Sequence, residues 1–234
     1  MQMNSIGPER LAFLDYAVDE TFDDETVDSK EARGWGTNNS DFEAYCVDLA
    51  LPDNPEGLGG IIEAQIGRSK NSVGVDLAGG SEAVALRDLL RQGFLGKALV
   101  TNYSDKPTDD DPRLYHIEGD LASRSTWANI LGWQKEHAAD GLDLVMHRPV
   151  GGLQNFQPFV YTSAANLLLD MIRPGGVMFC QIPRSLTRTR GQIGLNVVCS
   201  QITEREDLDR IVPSFVYPVH EEKKLDSVII TKKP

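Results

Sequence analysis

The sequence predicts an α/β protein built on a doubly wound, mostly parallel sheet of seven strands. Three observations carry this. A short apolar strand around Val73 and Val75 runs through Asp76 into Gly79-Gly80, and Ala85, Leu86, Leu89, Leu90 and Phe94 then recur at helical spacing. Strands alternate with helices over residues 72–182, the pattern of parallel strands joined by crossover helices. The chain ends in two apolar stretches, 211–217 and 225–232, separated by Glu221-Glu222-Lys223-Lys224 in the manner of a hairpin.

The elements follow in order. Residues 10–18 read as a short helix, and the acidic stretch 19–28 reads as exposed. A loop over 34–40 carries Trp35; Phe42, Tyr45, Cys46, Leu49 and Leu51 then form an apolar face that Pro52 and Pro55 end. Residues 1–57 are therefore expected to form an N-terminal helical cap, or a lid that brings Trp35, Phe42 or Tyr45 over a pocket. Residues 58–234 make up the main domain. Within it, 59–69 reads as a helix ending at Arg68, with Ile61, Ile62 and Ile66 as its core face. The first strand leads into Gly79-Gly80, where the backbone can take positive φ and approach a ligand. The next helix opens at Ser81, which can cap it, and its N-terminus offers unpaired N–H groups to a carboxylate or phosphate.

Gly96 turns the chain into a second strand at 97–102; residues 104–112 are loop. A third strand at 114–119 ends at Asp120, and Ser123 or Ser125 caps a helix through Trp127, Ile130, Leu131 and Trp133. The fourth strand, 142–146, is followed by His147 and Arg148. A helix from about Ser163 turns Leu167, Leu168, Met171 and Ile172 inward and stops at Arg173-Pro174-Gly175-Gly176. The fifth strand, 177–182, is stopped by Pro183, and a helix is expected at 204–209. Ligands of such sheets bind at the carboxyl ends of the strands, near the reversal of strand order. Asp76 to Gly80, Asn102, Asp120 and His147 fall along that rim.

Composition narrows the function. The chain holds 23 basic and 35 acidic residues, a net charge of −12, which argues against a nucleic-acid backbone as main partner. Arg184, Arg188 and Arg190 lie close together, either as a solvated loop or helix face or as one local patch that would suffice for a nucleic acid. No apolar run reaches the roughly 18 residues of a membrane-crossing helix, so no membrane partner is expected. The first residues lack the basic start and apolar core of a signal peptide. Cys46, Cys180 and Cys199 are odd in number and lack metal-ligand spacing, which suits a reduced, cytoplasmic protein. Cys180 reads as a small core residue. His116 is expected in the core, His137 at the surface and His220 in the terminal loop, and no metal cluster emerges.

At this point the chain resembles the class I S-adenosylmethionine-dependent methyltransferases, from about residue 58 to the C-terminus. Val73-Gly74-Val75-Asp76-Leu77-Ala78-Gly79-Gly80-Ser81 is similar to the family's first motif. Gly119-Asp120-Leu121 resembles its third-strand motif, Leu142-Asp143-Leu144-Val145 its fourth, and Met171 to Val177 its proline-glycine-glycine turn before strand five. The terminal hairpin matches the antiparallel strand that the family inserts at the sheet edge. The resemblance implies a Rossmann-like fold, S-adenosylmethionine as cofactor and methyl transfer to an acceptor. It implies that Asp76 orients the methionine end, and that Ala78, Gly79 and Gly80 let the backbone approach it. It implies that Asn102 or Asp105 meets the ribose, that Asp120 accepts from the adenine amino group and that Leu121 packs on the ring. The chain departs from the first motif at Ala78 and Glu82, where the family has glycines, and Asn102 stands where it has an acid.

Methyl transfer mainly requires positioning, and a base only where the nucleophile carries a proton. His147 is the candidate base, since it follows strand four and titrates near neutrality. Arg148 beside it can hold a carboxylate or phosphate of the acceptor. With the acidic balance, a small or medium-sized molecule is favoured as acceptor over nucleic acid. Two other readings stand beside this one. The departures at Ala78, Glu82 and Asn102 fit a non-catalytic interaction module of the same fold. A nicotinamide-dependent oxidoreductase would want Gly-x-Gly-x-x-Gly, or a Tyr-x-x-x-Lys pair that fails here because Ala165 stands where Tyr161 would need the lysine.

Overall fold

The computed structural model describes residues 8–16, 57–77, 79–80, 82–102, 111–147, 158–183, 202–215 and 225–234. Strands β1 (Val73–Leu77), β2 (Lys97–Asn102), β3 (Leu114–Glu118), β4 (Leu142–His147), β5 (Ile172–Pro183), β6 (Leu208–Phe215) and β7 (Leu225–Lys232) form one sheet in the order β3-β2-β1-β4-β5-β7-β6. β1 to β5 pair in parallel, and β7 lies antiparallel between β5 and β6. The order reverses between β1 and β4, as expected of a doubly wound sheet. The described helices are α1 (Gly57–Gln65), α2 (Val84–Gln92), α3 (Arg124–His137) and α4 (Pro158–Met171), and Pro8–Tyr16 is a 3-10 helix.

Side-chain alternation sorts the sheet into two apolar faces. Val73, Val75, Leu77, Leu99, Met178 and Cys180 pack with α3, α4 and the 3-10 helix. Ala98, Val100, Leu144, Met146 and Phe179 pack with α1 and α2. Both faces of the parallel strands are therefore covered, and β1, β4 and most of β2 are buried along their length. The 3-10 helix is part of this core. Phe13 meets Trp127 edge to face at 6.0 Å, and Asp15 accepts from Arg124 at 2.7 Å. Trp127 is fully buried, and its Nε1–H donates to the Leu121 carbonyl at 2.7 Å. Residues 17–56, with Trp35, Phe42 and Tyr45, lie outside the described residues, as do Arg184, Arg188, Arg190 and residues 216–224.

Several expected boundaries move. α1 ends at Gln65 rather than Arg68. α2 begins at Val84; its cap position is Ala83, left-handed at φ 46°, with no side-chain cap. Ser81, the expected cap, lies outside the described residues. α3 is capped by Ser123, whose side chain accepts from the Ser125 N–H. α4 begins at Pro158, ahead of the expected start at Ser163, because proline's fixed φ suits a first helical position. The Arg173-Pro174-Gly175-Gly176 segment is not a free turn. β5 already pairs at Ile172 with Leu142, the register shifts across the segment, and Gly175 N–H donates to the Lys233 carbonyl at 3.0 Å. The helix expected at 204–209 does not form: that segment is turn, and β6 starts at Leu208. His137, expected at the surface, packs against Tyr115 at 4.5 Å and Trp133 at 5.2 Å. Among the described residues no helix is long and apolar enough to cross a membrane.

The turn before β6 is held by charge. Arg205 donates to Asp207 at 2.8 Å and to Asp170 of α4 at 2.8 Å, and Asp170 also accepts from Arg10 of the 3-10 helix. Lys232 lies 3.2 Å from Asp207. The hydrogen bond from Arg205 is the main reason that the Asp207 carboxyl sits at about 2 instead of the usual 3.8. A carboxyl lowered on folding stabilises above its unfolded value and loses that contribution as acid protonates it. Asp207 is partly exposed, so solvent screening limits the contribution to about 1 kcal/mol. Asp207→Asn is expected to lower stability by about that amount above pH 4, with the gap closing between pH 4 and 2. Urea unfolding across that range tests it; a gap independent of pH contradicts it.

Candidate functional site

The site begins with the row of residues that parallel pairing sets side by side. His116, Val100, Asp76, Met146 and Phe179 are in register across β3, β2, β1, β4 and β5. They share the face packed by α1 and α2, where Val100, Met146 and Phe179 are core. Asp76 is 1% exposed, a buried carboxylate next to the last residue of β1. The turn after β1 folds directly over it. A Cβ at Gly79 would lie 2.6 Å from the Asp76 carboxyl carbon and 2.9 Å from Val100 Cγ2, so a larger residue here would have to displace the Asp76 and Val100 side chains. Gly80 follows at φ +82°, a conformation that glycine adopts without cost. The chain then enters α2 through Ala83, which is left-handed and fully buried. Such strain persists only where its surroundings over-determine it, and it sits here at the mouth of the switch point.

Asn102 ends β2 two positions beyond Val100, on the same face, and is 7% exposed. Its carbonyl accepts from the Gly119 N–H at 2.8 Å, which ties the ends of β2 and β3 together. Its amide Nδ2 lies 3.2 Å from His116 Nε2. Asp120 follows β3 and is exposed; its Oδ1 accepts from the Ala122 N–H at 2.8 Å, closing the turn into α3. Asp76, Gly79, Gly80, Asn102 and Asp120 are thus gathered at the carboxyl ends of β1, β2 and β3.

Two further candidates at this rim belong to the other face of the sheet. Leu121 is 4% exposed and belongs to the core on the face of α3 and α4. His147 is the last residue of β4, in register with Leu77 and Cys180, which places it on that same opposite face. It is fully buried, and its Nδ1 lies 3.6 Å from Cys180 Sγ. Burial pushes its imidazole down to about 4. It is therefore neutral at pH 7 and a weak proton acceptor, a poorer general base than its strand-end position suggested. Ala78, Asp105 and Arg148 lie outside the described residues.

His116 is the neighbour that sequence reasoning did not connect to the site. Expected in the core, it is only partly buried, and the register of β2 with β3 brings it to Asn102. Its signal was the alternation in β3, which sets His116 and Glu118 on one face. Among the described residues no group of three His, Cys, Asp or Glu side chains can hold a metal. A cavity of about 370 Å³ lies at the opposite, amino-terminal edge, lined by Ser69, Asn71, His137, Asp140, Asp143 and Arg173. Asp143 is engaged there, accepting from Val73 N–H and Arg173 Nε, both at 2.6 Å. This cavity is at the wrong end of the strands for the crevice of a doubly wound sheet.

No family model matches the chain, and no curated protein does. Solved structures do match. The N-methyltransferase NodS from Bradyrhizobium japonicum WM9, in complex with S-adenosyl-L-homocysteine, is 14% identical; the match covers 82% of this chain and 98% of NodS at a TM-score of 0.50. The MycE methyltransferase from the mycinamycin biosynthetic pathway, in complex with Mg and S-adenosylhomocysteine, is 12% identical; the match covers 83% of this chain and 55% of MycE at a TM-score of 0.53. The strand order and these likenesses give one result: the chain has the class I S-adenosylmethionine-dependent methyltransferase fold.

His147 yields a pH test. Unfolded, its imidazole titrates near 6.5; folded, at about 4. Unfolding therefore takes up a proton between those values, and the stability of the native chain falls as pH drops from 6.5 to 4, by up to about 3 kcal/mol. His147→Phe removes this dependence. The stability advantage of the native chain over the variant, measured by urea unfolding at pH 7, 5.5 and 4, is expected to shrink by that amount. An advantage that stays constant contradicts the assignment.

Proposed function

We propose that the protein binds S-adenosylmethionine in the crevice at the carboxyl ends of β1, β2 and β3 and transfers its methyl group to a small or medium-sized acceptor. The observation that carries this reading is the corner at the switch point. A buried Asp76 carboxylate lies beneath a turn in which glycine at position 79 leaves the carboxylate its place. A cradle without a Cβ, beside a buried acceptor, suits the amino-acid end of such a cofactor. When bound, the cofactor supplies an electrophilic methyl group; the protein supplies orientation.

Asp76 orients the methionine end, directly or through water. Gly79 and Gly80 admit the backbone to it. Asn102 hydrogen-bonds the ribose as a neutral partner, and Asp120 uses an acceptor lone pair for the adenine amino group. His147, neutral and enclosed, takes no proton; the acceptor arrives deprotonated or gives its proton to solvent. The net charge of −12 supports a small molecule over nucleic acid as the acceptor.

Calorimetric titration of the full chain with S-adenosylmethionine, S-adenosylhomocysteine and NAD is the test. The adenosyl ligands are expected to bind and NAD is not. Asp120→Ala is expected to weaken adenosyl binding by about 1–3 kcal/mol, the value of a hydrogen bond to a charged group once the ligand covers it. Absence of adenosyl binding at millimolar concentration overturns the reading, binding of NAD alone favours a nicotinamide enzyme, and an unchanged affinity in Asp120→Ala removes Asp120 from the site.

A further inference from the structure

We infer that Trp127 on α3 is a positioning residue for the adenine end of the crevice: through one peptide plane it aims the Asp120 carboxylate, and Phe13 of the N-terminal 3-10 helix braces it. This rests on the preceding reading that Asp120 meets the adenine amino group of an adenosyl ligand.

Asp120 is exposed, so core packing does not hold its side chain. The turn between β3 and α3 does. Gly119 N–H donates to the Asn102 carbonyl at 2.8 Å, and Ser123 N–H donates to the Asp120 carbonyl at 2.9 Å. Between these two ties stands the peptide unit that joins Leu121 to Ala122. Such a unit is planar and trans, so its C=O and N–H point in opposite directions and can only turn together. Trp127 Nε1–H donates to that carbonyl at 2.7 Å. The N–H of the same unit donates to Asp120 Oδ1 at 2.8 Å. An indole N–H only donates and a carbonyl only accepts, so the sense of the first bond is fixed by chemistry. Anchoring the carbonyl therefore aims the N–H, and the N–H holds Oδ1. Oδ2 is the oxygen left for an amino group of the ligand.

The anchor is itself enclosed. Trp127 is fully buried and Leu121 is 4% exposed, so a Leu121 carbonyl that lost the indole would be left unpaired at a cost. Gly119 lets α3 come this close to the turn: a Cβ there would lie 2.3 Å from Thr126 Oγ1. Phe13 meets the indole edge to face with centroids 6.0 Å apart, and Asp15 accepts from Arg124, the first residue of α3, at 2.7 Å. The 3-10 helix thus grips the start of α3 at two points, one of them the ring that holds the Asp120 turn.

Trp127→Phe keeps an aromatic ring in the core and removes the donor. S-adenosylhomocysteine, and its analogue with hydrogen in place of the adenine amino group, are titrated calorimetrically at pH 7 into the native full chain, Trp127→Phe, Asp120→Ala and the double variant, each checked for folding by circular dichroism. Trp127→Phe is expected to weaken S-adenosylhomocysteine binding about fivefold, part of the value of the hydrogen bond it aligns, and to change affinity for the analogue less than about twofold. In the Asp120→Ala background it is expected to change S-adenosylhomocysteine affinity less than about twofold, because no carboxylate is left to aim. A general loosening of the fold would instead weaken both ligands alike, with or without Asp120. Unchanged S-adenosylhomocysteine affinity in Trp127→Phe, equal losses for the two ligands, or a loss that persists in full in the Asp120→Ala background overturns the inference while the cofactor reading stands. If Trp127→Phe does not fold, Phe13→Leu, which keeps the indole and removes its brace, is read in the same scheme. A loss of about threefold for S-adenosylhomocysteine alone is then expected, and no loss overturns the inference. If the native chain binds and Asp120→Ala binds equally well, Asp120 leaves the site and the inference goes with it. If the native chain binds no adenosyl ligand at millimolar concentration, the cofactor reading itself falls.

Discussion

The site depends on the register with which β1 pairs to β2 on one side and β4 on the other. Asp76 opposes Val100 and Met146; Leu77 opposes Thr101 and His147. Side chains alternate across a strand, so a slip of one residue would send Asp76 to the face of α3 and α4 and bring Leu77 under the glycine turn. The apolar layers forbid that slip. Val73, Val75 and Leu77 are buried on one face, and the other offers Asp76 a place only at the strand end, beneath Gly79. The polarity of the crevice is thus a consequence of core packing, and the position of each candidate group follows from its parity along its strand.

Parity also divides the chemistry. Asp76, Asn102 and His116 share one face, and the Asn102 and His116 side chains meet there. His147 and Cys180 share the other and are enclosed, where desolvation keeps the imidazole neutral. Arranged this way, the described residues offer a ligand acceptors and shape rather than a strong base. This suits the proposed methyl transfer, in which the electrophile is already activated and the main work is orientation.

Much of this was legible in the sequence. The seven strands and the carboxyl-edge rim follow from alternating apolar runs and from turns at glycine and proline. Asp76, Gly79, Gly80, Asn102 and Asp120 all fall where strand ends were expected. What was not legible depends on contacts between elements distant in the chain. His116 and Asn102 are joined by pairing register, which no single strand encodes. His147 ends its strand as expected, but its burial against Cys180 depends on how β5 pairs with β4. The Arg173 to Gly176 segment carried a correct helix-end signal, yet Leu142 and Lys233 draw it into the sheet. α2 starts at a left-handed Ala83, against alanine's intrinsic preference, because the turn over Asp76 fixes the entry.

The most direct measurement of the central claim is a crystal structure of the full chain grown with S-adenosylhomocysteine. Ligand density is expected across the carboxyl ends of β1, β2 and β3, with the amino-acid end over Gly79 and Gly80 beside Asp76, the ribose at Asn102 and the adenine at Asp120. Density in the cavity at the amino-terminal edge, beside Asp143 and Arg173, or a crevice left without ligand at saturating concentration, would contradict it.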